Sequence, residues 1–144
     1  MRTPASIKGH PIHAMLIVFP VGLLIFSLVC DLIHAFIDSS PNWSTVALYT
    51  MVGGFIGALV AAVPGLIDLL SLPDGVKKIA LTHMTLNLTA VALYAINLWL
   101  RIQGTGNPLL PLWLSVIAVG ILGVSGWLGA EMVHRHGVGV ELET

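Results

Sequence analysis

The sequence predicts an all-α fold: a transmembrane up-down bundle of four helices, forming one domain over residues 1–144. Three observations carry this. Of 144 residues, 56% are hydrophobic and only 9% charged, against roughly 25% charged in soluble domains, so too few charges remain to cover a water-exposed surface. Apolar runs of about 20 residues or more, long enough to cross the hydrocarbon core of a bilayer, recur along the chain. Clusters of turn-forming residues separate them.

The first helix is expected over residues 11–37. A short polar tail with Arg2 and Lys8 precedes it. Pro11 suits a first helical position, where its missing N–H costs nothing. Pro20 falls inside the run and predicts a kink, which a membrane helix tolerates if neighbours satisfy the freed carbonyl. The run is too long for a signal peptide, and no small-x-small cleavage site follows it. Leu28-Val29-Cys30 is a poor lipoprotein site, because Val29 is too large before the cysteine. Cys30, the only cysteine, reads as a small core residue.

Asp38-Ser39-Ser40-Pro41-Asn42 is a turn by composition, and Trp43 fits an interfacial anchor. The second helix is expected over residues 43–72, with Gly53, Gly57, Ala61 and Gly65 recurring every four residues as a packing stripe. Ser71-Leu72-Pro73-Asp74-Gly75 ends it. The third helix is expected over residues 76–102. His83, Asn87, Tyr94, Asn97 and Arg101 fall near one of its faces, and in lipid that polar face should point into the bundle. A loop rich in Gly and Asn at 103–108 leads to the fourth helix, expected over residues 109–133. Gly120, Gly123, Gly126 and Gly129 thin one of its faces. A short polar tail follows from His134.

An up-down bundle puts the N-terminus, the loop between the second and third helices, and the C-terminus at one face. That face holds Arg2, Lys8, Lys77, Lys78 and Arg135, five of the six basic residues. The positive-inside rule makes it cytoplasmic. A tandem duplication of a two-helix unit would generate a further pattern. The first and third helices both begin near histidine. Val63-Pro64-Gly65 and Val124-Ser125-Gly126 are each followed by an acid, Asp68 and Glu131.

The same topology gathers His10, His13, Asp68, His83, Glu131, His134 and His136 at one face, with only His34 among the histidines left toward the other. His13 and His83 lie on helices that sit diagonally, so one planar porphyrin could be ligated from both sides. Neutral imidazole also ligates Zn, Cu, Fe and Ni. Asp68 and Glu131 could orient the imidazoles or ligate directly; the alternative is that they pair with Lys77, Lys78 or Arg135 at the interface. An ionisable residue at membrane depth is costly and tends to mark a site, which singles out His83. His134 reads as solvated tail, and the methionines as packing. Asp31 lies toward the opposite face and needs a partner. Arg101 is on the correct side, and a structural Asp31–Arg101 pair is expected.

Gly9-His10-Pro11-Ile12-His13, Phe19-Pro20-Val21-Gly22-Leu23 and Asp31 resemble the opening of a bacterial membrane-protein family of unknown function, DUF2231. The resemblance continues through Gly65…Asp68 and His83…Asn87. It ends at Gly126-Trp127-Leu128-Gly129 and His136-Gly137-Val138-Gly139-Val140, covering nearly the whole chain. Family members often carry an aromatic residue where His134 stands. The resemblance implies a multi-pass protein of the bacterial cytoplasmic membrane. Some members are fused to Rieske iron–sulfur domains, and the layout is similar to that of diheme cytochrome b proteins. It therefore implies a redox role, a redox partner protein and haem b, with His10, His13, His83 and His136 as cofactor-binding residues.

The leading expectation is a haem-b electron-transfer protein using His13 with His83, and His10 with His136 at a second site. One alternative is a non-haem Fe, Zn or Cu site built from His10, His13, His83, Asp68 and Glu131. Another is a membrane subunit without a cofactor, whose glycine stripes serve a homo-oligomer or a larger complex. The net charge of −1 and the absence of a basic patch argue against nucleic acid. No G-x-S-x-G, P-loop or H-E-x-x-H motif marks a hydrolase or nucleotide enzyme.

Overall fold

The computed structural model describes residues 1–104, 106, 107 and 109–140. The chain is a four-helix bundle. A two-stranded hairpin, β1 (Ser6–Ile7) and β2 (His10–Pro11), comes first. Then follow α1 (Ile12–Leu16), α2 (Val18–Phe36), α3 (Pro41–Ser71), α4 (Asp74–Gln103) and α5 (Leu109–His136). Taken as one span, α1 and α2 join α3, α4 and α5 as four helical segments long and apolar enough to cross a membrane. Large apolar side chains such as Phe19, Tyr49, Trp99 and Trp127 are exposed around the outside. Lipid, rather than water, is the solvent that this surface suits. The loop at 103–108 and the tail after His136 lie only partly within the described residues.

The helix boundaries follow local chemistry. The first span breaks at Ile17, one turn before Pro20, because a proline withdraws the N–H that would bond four residues back and its ring crowds that turn. Helix α3 opens with Pro41 at its first position, and Ser40 Oγ accepts from Asn42 N. Asp38 ties the preceding loop down by accepting from Ser40 N and from Trp43 Nε1. Helix α4 begins earlier than expected, at Asp74, since an acidic side chain in a first turn complements the helix dipole. Helix α5 runs three residues past the expected Val133, to His136. Gly137 adopts φ +63° there, and Gly137 N donates to Val133 O. A glycine in the left-handed region is a common helix stop.

The N-terminal segment is more ordered than a polar tail. Lys8 and Gly9 both have positive φ (50° and 83°), the signature of a type I′ two-residue hairpin turn. The segment folds over the end of the bundle, where Ala5 N donates to Asp68 Oδ1 at 2.8 Å. Gly139 N donates to Met1 O at 2.9 Å, so both ends of the described chain lie at one face.

The bundle is two helical hairpins, α1–α2 with α3 and α4 with α5, and their interiors correspond position by position. Asp31 and Arg101 are separated by 70 residues. The same interval relates His13 to His83, Leu24 to Tyr94 and Ser27 to Asn97. The returning helices correspond at a slightly shorter interval. Ser27 Oγ donates to Ala47 O, and Asn97 Nδ2 donates to Pro111 O. His13 bonds to Ala61 O, and His83 to Ser125 O. This register differs from the sequence expectation: Gly65 corresponds to Gly129, and Asp68 to Met132 rather than to Glu131. What the histidines rest on sets the register, and resemblance between short apolar motifs does not reveal it.

The two hairpins meet around Leu24, Met51, Tyr94 and Ala118 at mid-depth. A second cluster of Leu69, Leu72, Val76, Ala80 and Met132 lies toward the face that carries the chain ends. Tyr94 is 1% exposed, and its hydroxyl has no hydrogen-bond partner among the described residues. A buried unsatisfied hydroxyl costs about 1–3 kcal/mol, and the corresponding position holds Leu24. Tyr94→Phe is therefore expected to stabilise the bundle, or leave it unchanged, in a detergent unfolding titration. A clear loss of stability would mean that the hydroxyl is satisfied.

Candidate functional site

His13 and His83 meet at the face that carries the chain ends. Each comes from the leading helix of its hairpin and leans on the returning one. His13 Nδ1 lies 2.7 Å from Ala61 O, and His83 Nδ1 lies 2.8 Å from Ser125 O. A carbonyl oxygen only accepts, so both rings donate through Nδ1–H and are left with an unprotonated Nε2 when neutral. The ring centres are 6.3 Å apart and the ring planes perpendicular.

Small residues make this possible. A Cβ at Gly65 would lie 2.8 Å from His13 Nδ1, and one at Gly129 would lie 3.3 Å from His83 Cε1. Ala61 and Gly65, like Ser125 and Gly129, are four residues apart, one turn of helix, so each imidazole lies in a shallow cradle. The glycine pattern of α3 was visible in the sequence as a packing stripe. Its use as a bed for histidine, and the parts played by Ala61 and Ser125, were not.

The two rings are not equally satisfied. Ser125 Oγ also lies 2.9 Å from His83 Nδ1 and donates onward to His83 O at 3.2 Å. Asn87 Nδ2 lies 3.0 Å from His83 Nε2. For His13 Nε2, no hydrogen bond is formed among the described residues.

The remaining residues expected at this face do not join the pair. His10 is exposed, with Nδ1 3.1 Å from Lys8 O, because its place in the hairpin turns it away. Asp68 is buried but engaged by Ala5 N. Glu131 pairs with Arg135 on its own helix at 3.1 Å. His136 is half-buried in the last turn of α5, while His134 is exposed there. Among the described residues, no three His, Cys, Asp or Glu side chains converge as a metal would require. His10, Asp68 and Glu131 therefore do not join His13 and His83 in one cluster among the described residues. The helix ends share a face, but their rotations send these side chains to different neighbours.

At the opposite face, Arg101 reaches across the bundle. Its Nη1 and Nη2 donate to Asp31 Oδ1 and Oδ2 at 3.0 and 2.5 Å. Its Nε donates to Asn97 Oδ1 at 2.8 Å. Asn97 is fully buried and also donates to Pro111 O and Ser115 Oγ. The network therefore ties α2, α4 and α5 together. A pocket of about 190 Å³ lined by Asp31, His34, Ser44 and Arg101 opens beside it. His34 Nδ1 lies 3.1 Å from Ser40 O, which accounts for its place at this face.

No curated protein and no solved structure matches the chain. The four apolar spans, the paired histidines and the Asp31–Arg101 bridge belong to a sequence that the model of one family, described as a predicted membrane protein, covers from residue 9 to residue 142. This chain is an integral membrane protein of the DUF2231 family.

Proposed function

We propose that the protein is a membrane cytochrome in which His13 and His83 hold haem b between the two hairpins for electron transfer. The observation that carries this reading is the shared anchoring of the two rings. Metal-ligating histidines commonly donate their second ring N–H to a main-chain carbonyl, which fixes the tautomer and turns the other nitrogen to the metal. Both rings are anchored in this way, from opposite hairpins.

The donor set, two neutral imidazoles each held through Nδ1, fits the group. A bare ion usually takes three or four protein ligands, whereas haem supplies most of the iron's ligands itself and would need only His13 and His83 from the protein. Two histidines without a third ligand favour haem over a non-haem Fe, Zn or Cu site.

When bound, haem supplies one-electron redox chemistry. The chain's own residues do the rest. His13 and His83 bind, Ala61 O and Ser125 O orient them, and Gly65 and Gly129 let them lie flat. The strap held by Asp68 covers the end of the bundle. Lys8, Lys77, Lys78 and Arg135 support a cytoplasmic placement of this face in a bacterial inner membrane, where a redox partner protein would meet it.

The test is the reduced-minus-oxidised visible spectrum of intact membranes and of purified protein. A b-type spectrum that disappears in His83→Ala and in His13→Ala is expected. Wild-type protein without haem in intact membranes would overturn the reading.

A further inference from the structure

We propose that Asn87 guards His83, holding its ligating nitrogen in reserve so that a metal centre engages His13 first and His83 only after the Asn87 amide swings away. The inference deepens the haem reading and rests on it for the order of engagement. The hydrogen bond itself stands on geometry alone.

The argument begins with a difference between two otherwise matched halves. His13 and His83 are equivalent in place and in Nδ1 anchor, and each lies over a glycine of the returning helix. One turn beyond His13 stands Ile17; one turn beyond His83, at the same spacing, stands Asn87. Ala61, against His13, is matched by Ser125, against His83. The bundle accepts an apolar residue and an alanine at these places in the first hairpin, so packing does not require the polar ones in the second.

What the polar residues do is complete the hydrogen bonding of one ring. The Nδ1–H of His83 is shared between Ser125 O and Ser125 Oγ, and the serine hydroxyl passes its own hydrogen to His83 O. With Nδ1 protonated, Nε2 of the neutral ring can only accept, and the Asn87 amide at 3.0 Å donates to it. The lone pair a metal would use is therefore already engaged. At His13 the corresponding lone pair is not engaged by any described residue. A centre arriving at the pair meets one open nitrogen and one capped one. Asn87 is thus a positioning residue that acts through His83.

The experiment uses the full chain in detergent micelles, haem-free and labelled with nitrogen-15 at histidine, followed by titration with haem. In the wild type, the Nε2 resonance of His83 should sit at the value of a hydrogen-bonded acceptor and that of His13 at the value of an unbonded one. In Asn87→Leu, whose fold is safeguarded by the precedent of Ile17, the His83 Nε2 resonance should move to the unbonded value. His83 should keep its Nδ1–H, and the His13 resonances should stay in place. The same variant should bind haem on the order of tenfold more tightly, since one competing hydrogen bond no longer has to break. An unmoved His83 resonance would overturn the capping. Haem affinity that is unchanged or weaker in Asn87→Leu, with the wild type still binding, would overturn the guard alone. If neither protein takes up haem, the axial-pair reading falls and the guard with it, while the resonance shift still reports whether Asn87 caps His83.

Discussion

Arg101→Ala is expected to lose about 3–5 kcal/mol of stability, the cost of leaving one half of a buried ion pair without the other. Asp31 is 7% exposed and receives both terminal nitrogens of Arg101. Without the guanidinium, its carboxylate has no counter-charge in a medium that solvates charge poorly, and Asn97 Oδ1 loses its donor. The double variant Asp31→Leu/Arg101→Leu removes both charges, and its loss should be smaller than that of Arg101→Ala. Unfolding titrations in mixed micelles compare the two directly. A double variant at least as unstable as the single one would show that the pair is worth more than the charges it neutralises.

Gly65→Ala should have the next largest effect, about 1–3 kcal/mol of overpacking strain, and it should dislodge His13. The added methyl would meet Nδ1, Cε1 and Cγ of the His13 ring at 2.8, 3.1 and 3.3 Å. The ring cannot yield toward α3, because its Nδ1 is already 2.7 Å from Ala61 O. It must lift away and give up that hydrogen bond. Gly129→Ala is the control. There the nearest contact, 3.3 Å to His83 Cε1, needs a shift of only a few tenths of an ångström. The resonances of His13 should therefore move in Gly65→Ala far more than those of His83 do in Gly129→Ala. Comparable displacement in both would mean that the two cradles are equally loose.

Several elements of the site could be anticipated along the chain. The α4 residues His83, Asn87, Tyr94, Asn97 and Arg101 recur at helical spacing, and polar groups in lipid must turn inward. Asp31 and Arg101 could be assigned to one end by topology. Other elements were hidden. Nothing in Thr3-Pro4-Ala5 shows that its backbone would claim Asp68, since a main-chain N–H has no sequence signature. His10 reads as a close neighbour of His13, but a two-residue turn at Lys8-Gly9 places it in a strand that faces away. The matching of Ser125 with Ala61 was obscured because serine and alanine look like unrelated choices until both are seen beneath an imidazole.

By itself, the sequence determined that this protein lies in a membrane, crosses it four times and carries most of its histidines toward one face. Those properties depend on apolar length, on turn residues and on the alternation of direction from span to span, all of which are local or additive along the chain. Only the tertiary structure decided which of those histidines meet. A shared face fixes depth, whereas contact depends on the rotation of each helix about its own axis. That rotation is set by where Gly65, Gly129, Ala61 and Ser125 let a ring approach, by the Arg101 bridge at the far end, and by the strap that takes Asp68 out of the pair's reach.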